Sequence, residues 1–283
     1  MSTEATGITH VSDTALLVAG CRAVESERAD AFVRDPFAVR LAGERGMAMF
    51  RALPHPEMME FGIAIRSRFL DELLMRGLAA GNVSTVVCMG AGLDTRPWRL
   101  DLPPELRWIE VDFPAMLDYK DAFMAAETPR CKRERLTADL NDAAQRRAVY
   151  GAVGREPALL ITEGLLMYLP GGTVEALASE VGKESGIAQW IIDITTSSFS
   201  KALGGSTASS VRHVQATDCL EGEEILATIC GHGWATAERR SYITDLDFAK
   251  ERIAQMMARM PEPPSPPPFA KDDPTGVHRF ARA

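Results

Sequence analysis

Residues 85–96 read Thr-Val-Val-Cys-Met-Gly-Ala-Gly-Leu-Asp-Thr-Arg, a short apolar run that ends in a glycine-rich turn. A continuous apolar run of this length is typical of a strand that helices cover on both faces. Gly90 and Gly92 allow the backbone after the strand to approach a ligand closely. The stretch therefore predicts the first strand of a parallel sheet, with a ligand-binding turn at its carboxyl end.

Further short apolar runs follow this turn and alternate with segments of helical spacing. The predicted strands are 107–112, 134–140, 158–162, 189–194 and 234–239, and the predicted helices are 114–126, 173–183 and 221–230. Strands and helices that alternate at this interval indicate right-handed β-α-β crossovers. The predicted fold class is α/β, with a doubly wound, mostly parallel sheet.

The regions before and after this alternating pattern differ from it in residue spacing and composition. Residues 9–81 show helical spacing and no strand pattern. We therefore predict a helical N-terminal cap or lid over 1–81 and an α/β cofactor-binding domain over 82–260. Polar, serine-rich sequence near 195–220 indicates a lid-like insertion in that domain. Residues 261–283 begin with Pro-Glu-Pro-Pro-Ser-Pro-Pro-Pro, and we predict a proline-rich tail outside the core.

Composition excludes several classes of protein. Hydrophobic residues make up 46% and charged residues 25% of the 283, as in a soluble globular protein. Thirty-nine acidic residues against thirty-one basic ones give a net charge of −8, which argues against nucleic acid or an anionic membrane as partner. Without an apolar run of about 20 residues or a signal-like N-terminus, we expect a cytoplasmic protein. The five cysteines are scattered and show no metal-ligand spacing, so no metal site is predicted.

The turn and the next strand together indicate a nucleoside-containing cofactor. Asp112 lies twenty residues beyond Gly92, at the end of the second predicted strand, where a carboxylate can accept both ribose hydroxyls. A dinucleotide site would place a third glycine or an alanine where Thr95 stands, and Asp94 would meet its pyrophosphate. A cofactor without phosphates fits better, although a nicotinamide oxidoreductase shares the strand, the turn and the acid.

Further acidic residues follow the third and fourth predicted strands. Asp139 follows the third, and Glu163 follows the fourth a few residues before Tyr168. Carboxyl ends of parallel strands converge on the crevice where open α/β sheets bind ligands. Several carboxylates there favour a cationic adenosine derivative, S-adenosylmethionine, over NAD. A helix N-cap at Asp139 and a core position for Tyr168 are the structural alternatives.

Taken together, these motifs resemble the leucine carboxyl methyltransferase family. The matching segments are 11–26, 35–38, 65–71, 90–96, 110–114, 139–140 and 163–169. The resemblance covers about residues 9–240 and is nearest to the bacterial branch, which includes carboxyl O-methyltransferases of polyketide biosynthesis and actinobacterial members; the last forty residues depart from it. It implies a Rossmann-like class I S-adenosylmethionine-dependent methyltransferase with a helical N-terminal cap.

The resemblance also implies roles for individual residues. Arg66 would bind the methionine carboxylate of the cofactor, and Asp112 the ribose. The turn Gly90, Ala91 and Gly92 would approach the cofactor closely, and Asp139 with Leu140 would contact the adenine edge. Glu163 would lie near the amino group or the sulfonium.

The methyl acceptor is the open part of the interpretation. The resemblance implies a small carboxylic acid of secondary metabolism as acceptor, converted to a methyl ester. Such a carboxylate is ionised at pH 7 and needs no general base, which fits the absence of an obvious catalytic triad in the sequence. Arg22, Tyr168 and Arg212 are the candidate donors to that carboxylate. For a phenol or alcohol, His213 would be the candidate base. A protein C-terminal carboxylate and a non-catalytic cofactor-binding protein are the remaining alternatives.

Overall fold

The computed structural model describes residues 11–202, 214–259, 270 and 272–282. Within those ranges no helix combines the length and the apolarity needed to cross a membrane. The described chain forms one mixed sheet with helices on both of its faces.

The helices and strands follow in chain order. The helices are α1 (Val11–Glu27), α2 (Ala38–Arg51), α3 (Pro56–Ala79), α4 (Arg96–Arg99), α5 (Pro114–Met124), α6 (Ala143–Val153), α7 (Gly171–Glu184), α8 (Ser197–Ala202), α9 (Gly222–Gly231) and α10 (Lys250–Arg259). The strands are β1 (Thr85–Met89), β2 (Arg107–Asp112), β3 (Lys132–Thr137), β4 (Ala158–Thr162), β5 (Ile187–Ile194), β6 (Trp234–Ser241) and β7 (Gly276–Arg282). Short 3-10 turns lie at Leu166–Tyr168 and Asp247–Ala249.

The sheet has the strand order β3-β2-β1-β4-β5-β7-β6. The first five strands in that order run parallel, and β7 is antiparallel to both of its neighbours, β5 and β6. The order reverses at β1, which pairs with β2 on one side and with β4 on the other. The predicted doubly wound, mostly parallel sheet is confirmed.

Alternate residues of the central strands supply the two halves of the core. Val87 of β1 faces the side covered by α6, α7 and α9, whereas its neighbours Val86 and Cys88 face the side covered by α3. All five residues of β1 and all five of β4 are buried, as expected for strands covered on both faces. β1 and β4 are thus the centre of the sheet, and the crevice typical of such sheets is expected at their carboxyl ends.

The N-terminal helices do not form a cap that is separate from the sheet. α3 lies directly on the sheet, and Gly77 permits the close approach, since a Cβ atom there would lie 2.8 Å from Cδ1 of Leu159 in β4. α1 packs against α2 and α3 on the outer side. The boundary placed at residue 81 therefore does not separate two packing units, because α3 is one of the layers of the α/β domain.

The C-terminal tail predicted over 261–283 is wrong for its last part. Residues 276–282 form β7, which lies inside the sheet between β5 and β6. Val277 and Phe280 are fully buried on opposite faces of that strand. The proline-rich segment before it, 260–269, and residues 203–213 of the predicted lid-like insertion lie outside the described residues.

Candidate cofactor-binding site

A cleft opens at the carboxyl ends of β1, β2 and β4, beneath α1. Its walls come from the glycine turn after β1, from Asp112 and Phe113 after β2, and from the segment that begins at Glu163 after β4. Thr14 and Arg22 of α1 and Arg66 of α3 line the opposite side. The cleft lies at the point where the strand order reverses, the usual ligand site of such sheets.

The turn after β1 is shaped by glycine at its first position. Gly90 has a φ of +67°, and a Cβ atom there would lie 2.8 Å from Cδ1 of Leu165. The amides of Gly90 and Ala91 both donate to the carbonyl of Val111, at 2.9 and 3.1 Å. The turn is thus held against the end of β2, and the lack of a side chain at Gly90 lets it pack closely against Leu165.

Asp112 is held by this turn. Its Oδ2 accepts from the amide of Gly92 at 2.7 Å, and its Oδ1 accepts from the amide of Phe113 at 2.7 Å. Burial raises the pKa of this carboxyl above its ordinary value. Each oxygen retains a lone pair for a ligand hydroxyl. Since the amides of Gly90, Ala91 and Gly92 are all engaged inside the protein, they are not available to a pyrophosphate, which argues against a dinucleotide.

Arg66, predicted to bind the methionine carboxylate, and Glu163, predicted to lie near the amino group or the sulfonium, are paired with each other. Nε of Arg66 lies 2.9 Å from Oε1 of Glu163, and its Nη1 lies 3.5 Å from Oδ2 of Asp193. Burial alone would lower the pKa of Arg66, but Glu163 and Asp193 raise it above its ordinary value. Both charges are therefore retained at the cleft wall.

Arg96 is a buried residue of the site that the sequence interpretation missed. Its Nη1 lies 2.9 Å from Oδ2 of Asp94 and 2.8 Å from Oε2 of Glu163, and its Nε lies 2.6 Å from Oδ1 of Asp71. Asp71 also receives two hydrogen bonds from Arg99. The sequence signal that could have found this pair is the spacing of Asp94 and Arg96, which lie two residues apart in the turn.

The charge balance of the cleft differs from the expectation of unpaired carboxylates. Burial would raise the pKa of Asp94, but Arg96 and Lys120 bring it down to about 2. Likewise, Arg96 and Arg66 overcome the effect of burial and hold the pKa of Glu163 below its ordinary value. Of the cleft-lining carboxylates in the described chain, Asp112 alone has no ion-pair partner.

Asp139 and Leu140 do not line the described cleft. Asp139 lies two residues beyond β3, and its Oδ1 accepts from the amide of Asn141 at 2.9 Å. Leu140 is buried in the core. The N-cap of α6 is Asp142, which accepts from the amides of the first helical turn. The contact of Asp139 and Leu140 with adenine stays a prediction.

The residues nominated for the acceptor have different surroundings. Tyr168 lines the cleft, and its hydroxyl is hydrogen-bonded to Thr14 of α1; burial raises its pKa. Arg22 also lines the cleft, but its Nε pairs with Asp35 at 2.9 Å and its Nη2 donates to the carbonyl of Leu93 at 2.7 Å. Arg212 and His213 lie outside the described residues.

The chemistry of the lining residues suits S-adenosylmethionine. Asp112 presents a carboxylate suited to ribose hydroxyls, and Arg66 a guanidinium suited to a carboxylate. Phe113, 40% exposed, and Met116 offer apolar surface beside Asp112 for a planar base. Phe113 was also missed in the sequence, although it directly follows the predicted ribose ligand.

Comparison with known proteins identifies the family of the chain. The sequence profile described as leucine carboxyl methyltransferase matches residues 15–182. Over 235 residues the chain is 33% identical to a Streptomyces coelicolor protein named "Putative S-adenosyl-L-methionine-dependent methyltransferase", and this alignment covers 78% of the chain and 82% of that protein. A Streptomyces avermitilis protein of the same description is 38% identical over 183 residues, which cover 61% of the chain and 64% of that relative, just under two thirds of its length.

Solved structures share the fold at low sequence identity. A duf574 family protein from Streptomyces avermitilis superposes with a TM-score of 0.60 at 14% identity, over 93% of this chain and 96% of that one. A Nostoc punctiforme structure described as "a putative O-methyltransferase" superposes with a TM-score of 0.51 at 11% identity, over 82% of this chain and 62% of that one. The fold is that of the class I methyltransferases. The chain belongs to the leucine carboxyl methyltransferase family of S-adenosylmethionine-dependent methyltransferases.

Proposed function

We propose that the chain transfers a methyl group from S-adenosylmethionine to the carboxylate of a small molecule. The products are a methyl ester and S-adenosylhomocysteine. The observation that carries this choice of acceptor is the chemistry of the described cleft lining, where the ionisable side chains are poorly suited to removing a proton from a hydroxyl.

Each candidate base in the described lining is engaged, too weak or, in the case of Asp112, assigned to the ribose in this proposal. Glu163 and Asp94 are bound to arginines, and these arginines hold the pKa of both carboxyls below the ordinary range. The pKa of the Tyr168 hydroxyl is raised by burial, so this group stays protonated at neutral pH. A phenol, with a pKa of about 10, would need help to ionise, whereas a carboxylic acid is already ionised at pH 7.

The chain's residues have separate tasks in this proposal. Asp112 binds the ribose hydroxyls, and Arg66, fixed by Glu163 and Asp193, holds the carboxylate at the amino-acid end of the cofactor. When bound, S-adenosylmethionine supplies a methyl carbon activated by its sulfonium leaving group. Because this carbon needs no further activation, the protein's contribution is alignment of the two reactants and exclusion of water.

Tyr168 is the proposed contact to the acceptor. Tyr168 lines the cleft, and its hydroxyl is hydrogen-bonded to Thr14 of α1, which also lines the cleft. A protonated hydroxyl can donate to one oxygen of an acceptor carboxylate and leave the other free to attack the methyl carbon. Arg22 has two donors occupied within the protein, so we assign it to supporting the loop at Asp35.

The test uses S-adenosylmethionine labelled in its methyl group. We would incubate the protein with a panel of carboxylic acids and the matching phenols, extract the products and treat them with mild alkali. Label that appears with the acids and is released as methanol supports ester formation, since a methyl ether survives alkali. The Asp112→Asn variant should lose the label, and Asp101→Asn, at a fully exposed side chain, should keep it.

Other outcomes contradict the proposal in distinguishable ways. Alkali-stable label on the phenols would identify a phenol methyltransferase. Label on a peptide ending in a free carboxylate, and on none of the small acids, would indicate a protein substrate. Tight binding of S-adenosylhomocysteine without label in any acceptor would favour a non-catalytic protein.

A further inference from the structure

Tyr242 follows β6 at the sheet edge that holds the cleft. β6 runs in the same direction as β5, because β7 is antiparallel to both, so their carboxyl ends lie at the same edge. The ring of Tyr242 stacks on Phe69 of α3, with the centroids 6.0 Å apart and the planes at 16°. Arg66 lies three residues before Phe69 and therefore on the same face of α3. The tyrosine thus packs beside the arginine assigned to the cofactor.

The hydroxyl of Tyr242 is buried and makes no hydrogen bond with any described residue. The chain's other three tyrosines all have a partner: Tyr119 donates to the carbonyl of Leu41 at 2.9 Å, Tyr150 to Glu180 at 3.1 Å, and Tyr168 is bonded to Thr14. A buried hydroxyl without a partner is unfavourable, and a ligand that brings an acceptor to it would remove this cost.

The charges around this hydroxyl indicate what that group is. Burial and the nearby Asp193 raise the pKa of Tyr242 well above its ordinary value, while Arg66 acts in the opposite direction. The hydroxyl therefore stays protonated and is available as a donor. The carboxylates near it have other partners, since Oδ1 of Asp193 accepts from the amide of Gly164 and both oxygens of Glu163 accept from arginines. A further anionic oxygen, brought to Arg66 by a ligand, would complete the cluster.

We propose that Tyr242 is a further cofactor-binding residue, whose hydroxyl donates a hydrogen bond to the carboxylate that Arg66 holds at the amino-acid end of the cofactor. This inference rests on the proposed binding of S-adenosylmethionine. Arg66 links the cleft to this hydroxyl, because it lines the cleft and its guanidinium is near enough to Tyr242 to act on the pKa of the hydroxyl. Tyr242 would then add a neutral donor beside the cation.

The test compares two ligands that differ at the amino-acid end. S-adenosylhomocysteine carries the carboxylate, whereas 5′-methylthioadenosine has the same nucleoside without it. We would measure the affinity of both by titration calorimetry for the natural protein, for Tyr242→Phe and for the control Tyr119→Phe. In Tyr242→Phe we expect S-adenosylhomocysteine to bind roughly tenfold more weakly, as for a lost hydrogen bond to a charged group. Methylthioadenosine should change less than twofold, and Tyr119→Phe should change neither ligand.

The stability of the free protein supplies a second readout. Because Tyr242→Phe removes an unsatisfied hydroxyl, its melting temperature without ligand should be equal to or above that of the natural protein. A lower melting temperature, or an equal loss of affinity for both ligands, would show a structural role and overturn the inference. Unchanged discrimination between the ligands would overturn it too. If the natural protein bound neither ligand, the proposed cofactor itself would be wrong, and this inference with it.

Discussion

Nη1 of Arg96 lies 2.8 Å from Oε2 of Glu163, and this ion pair joins the turn after β1 to the end of β4. The guanidinium of Arg96 is 3% exposed and also contacts Asp71 and Asp94. Glu163 in turn contacts Arg66, so α3 and two strand ends meet in one cluster of alternating charges. The arrangement holds the wall of the cofactor cleft by electrostatic contacts as well as by packing.

Arg96→Gln should destabilise the protein strongly. Removing the cation leaves the buried carboxylate of Asp94 without an ion-pair partner and takes one of two arginines from both Glu163 and Asp71. Breaking a buried pair in this way typically costs about 3–5 kcal/mol of the free energy of unfolding. Urea denaturation measures this change. The matched control is Arg107→Gln, which breaks a more exposed pair with Glu134 and should cost less than about 1 kcal/mol. Equal losses for the two variants would show that the Arg96 cluster contributes no more than a surface ion pair.

Asp112→Asn should weaken the binding of S-adenosylhomocysteine by roughly 10- to 100-fold, because hydrogen bonds from the ribose hydroxyls to a charged acceptor are lost. Calorimetric titration provides the measurement. The asparagine amide oxygen can accept from only one of the two amides that Asp112 now binds, those of Gly92 and Phe113 at 2.7 Å, so urea denaturation of the free variant is the control that separates lost binding from lost stability. An affinity within twofold of the natural protein would remove Asp112 from the proposed site.

Gly90→Ala should both destabilise the protein and impair cofactor binding. The residue has a φ of +67°, and its new Cβ atom would lie 2.8 Å from Leu165. We expect a loss of about 1–3 kcal/mol in the free energy of unfolding. Gly151→Ala is the matched control, since this glycine lies within α6 with no atom within 4 Å of the new Cβ, and the change should stabilise by up to about 1 kcal/mol. A neutral Gly90→Ala would mean that the turn relaxes without cost.

A second buried cluster, away from the cleft, predicts a pH dependence of stability. Arg252 of α10 contacts Glu25 of α1, with 2.6 Å between Nη2 and Oε2, and also contacts Glu60 of α3. Its guanidinium lies over the ring of Phe32, 4.6 Å from the centroid. Burial, together with the hydrogen bond to Glu25, raises the pKa of Glu60 from 4.5 to about 7. Two buried carboxylates thus share one cation, and a proton on Glu60 reduces their repulsion.

Stability should therefore fall as the pH rises from about 4.5 to about 7. In this window the folded protein holds a proton on Glu60 that the unfolded chain has lost, so the Glu60 contribution to the free energy of unfolding decreases by at most about 1.4 kcal/mol per pH unit. Urea denaturation at several pH values, for the natural protein and for Glu60→Gln, isolates this contribution. The exposed Glu57→Gln on the same helix is the control and should follow the natural protein. If the free energy of unfolding of Glu60→Gln changed with pH in parallel with that of the natural protein, the raised pKa of Glu60 would be contradicted.

The local parts of the fold and site were predictable from short segments. An apolar run that ends in Gly90 specifies a buried strand and a turn, because both depend on residues adjacent in the chain. Asp112 follows the next strand, and parallel neighbours bring their carboxyl ends to one edge, so its position beside Gly92 followed from spacing alone. The alternation of strands and helices predicted the doubly wound sheet for the same reason.

The partners of the charges and the place of the last strand depended on the tertiary structure. No pattern within 276–282 shows that β7 inserts between β5 and β6, because strand order is set by packing between segments far apart in the chain, such as Ile194 of β5 and its partner Gly276 of β7. Arg66 and Glu163 are 97 residues apart, and their pairing, like that of Arg96 with Glu163, exists only where α3 and the strand ends converge. Sequence by itself determined the first strand, the glycine turn that follows it and the carboxylate of Asp112 at the end of the next strand. Only the folded arrangement decided which of those charges neutralise each other and which, like that of Asp112, stay available to a ligand, because electrostatic energy depends on distance in space and on burial.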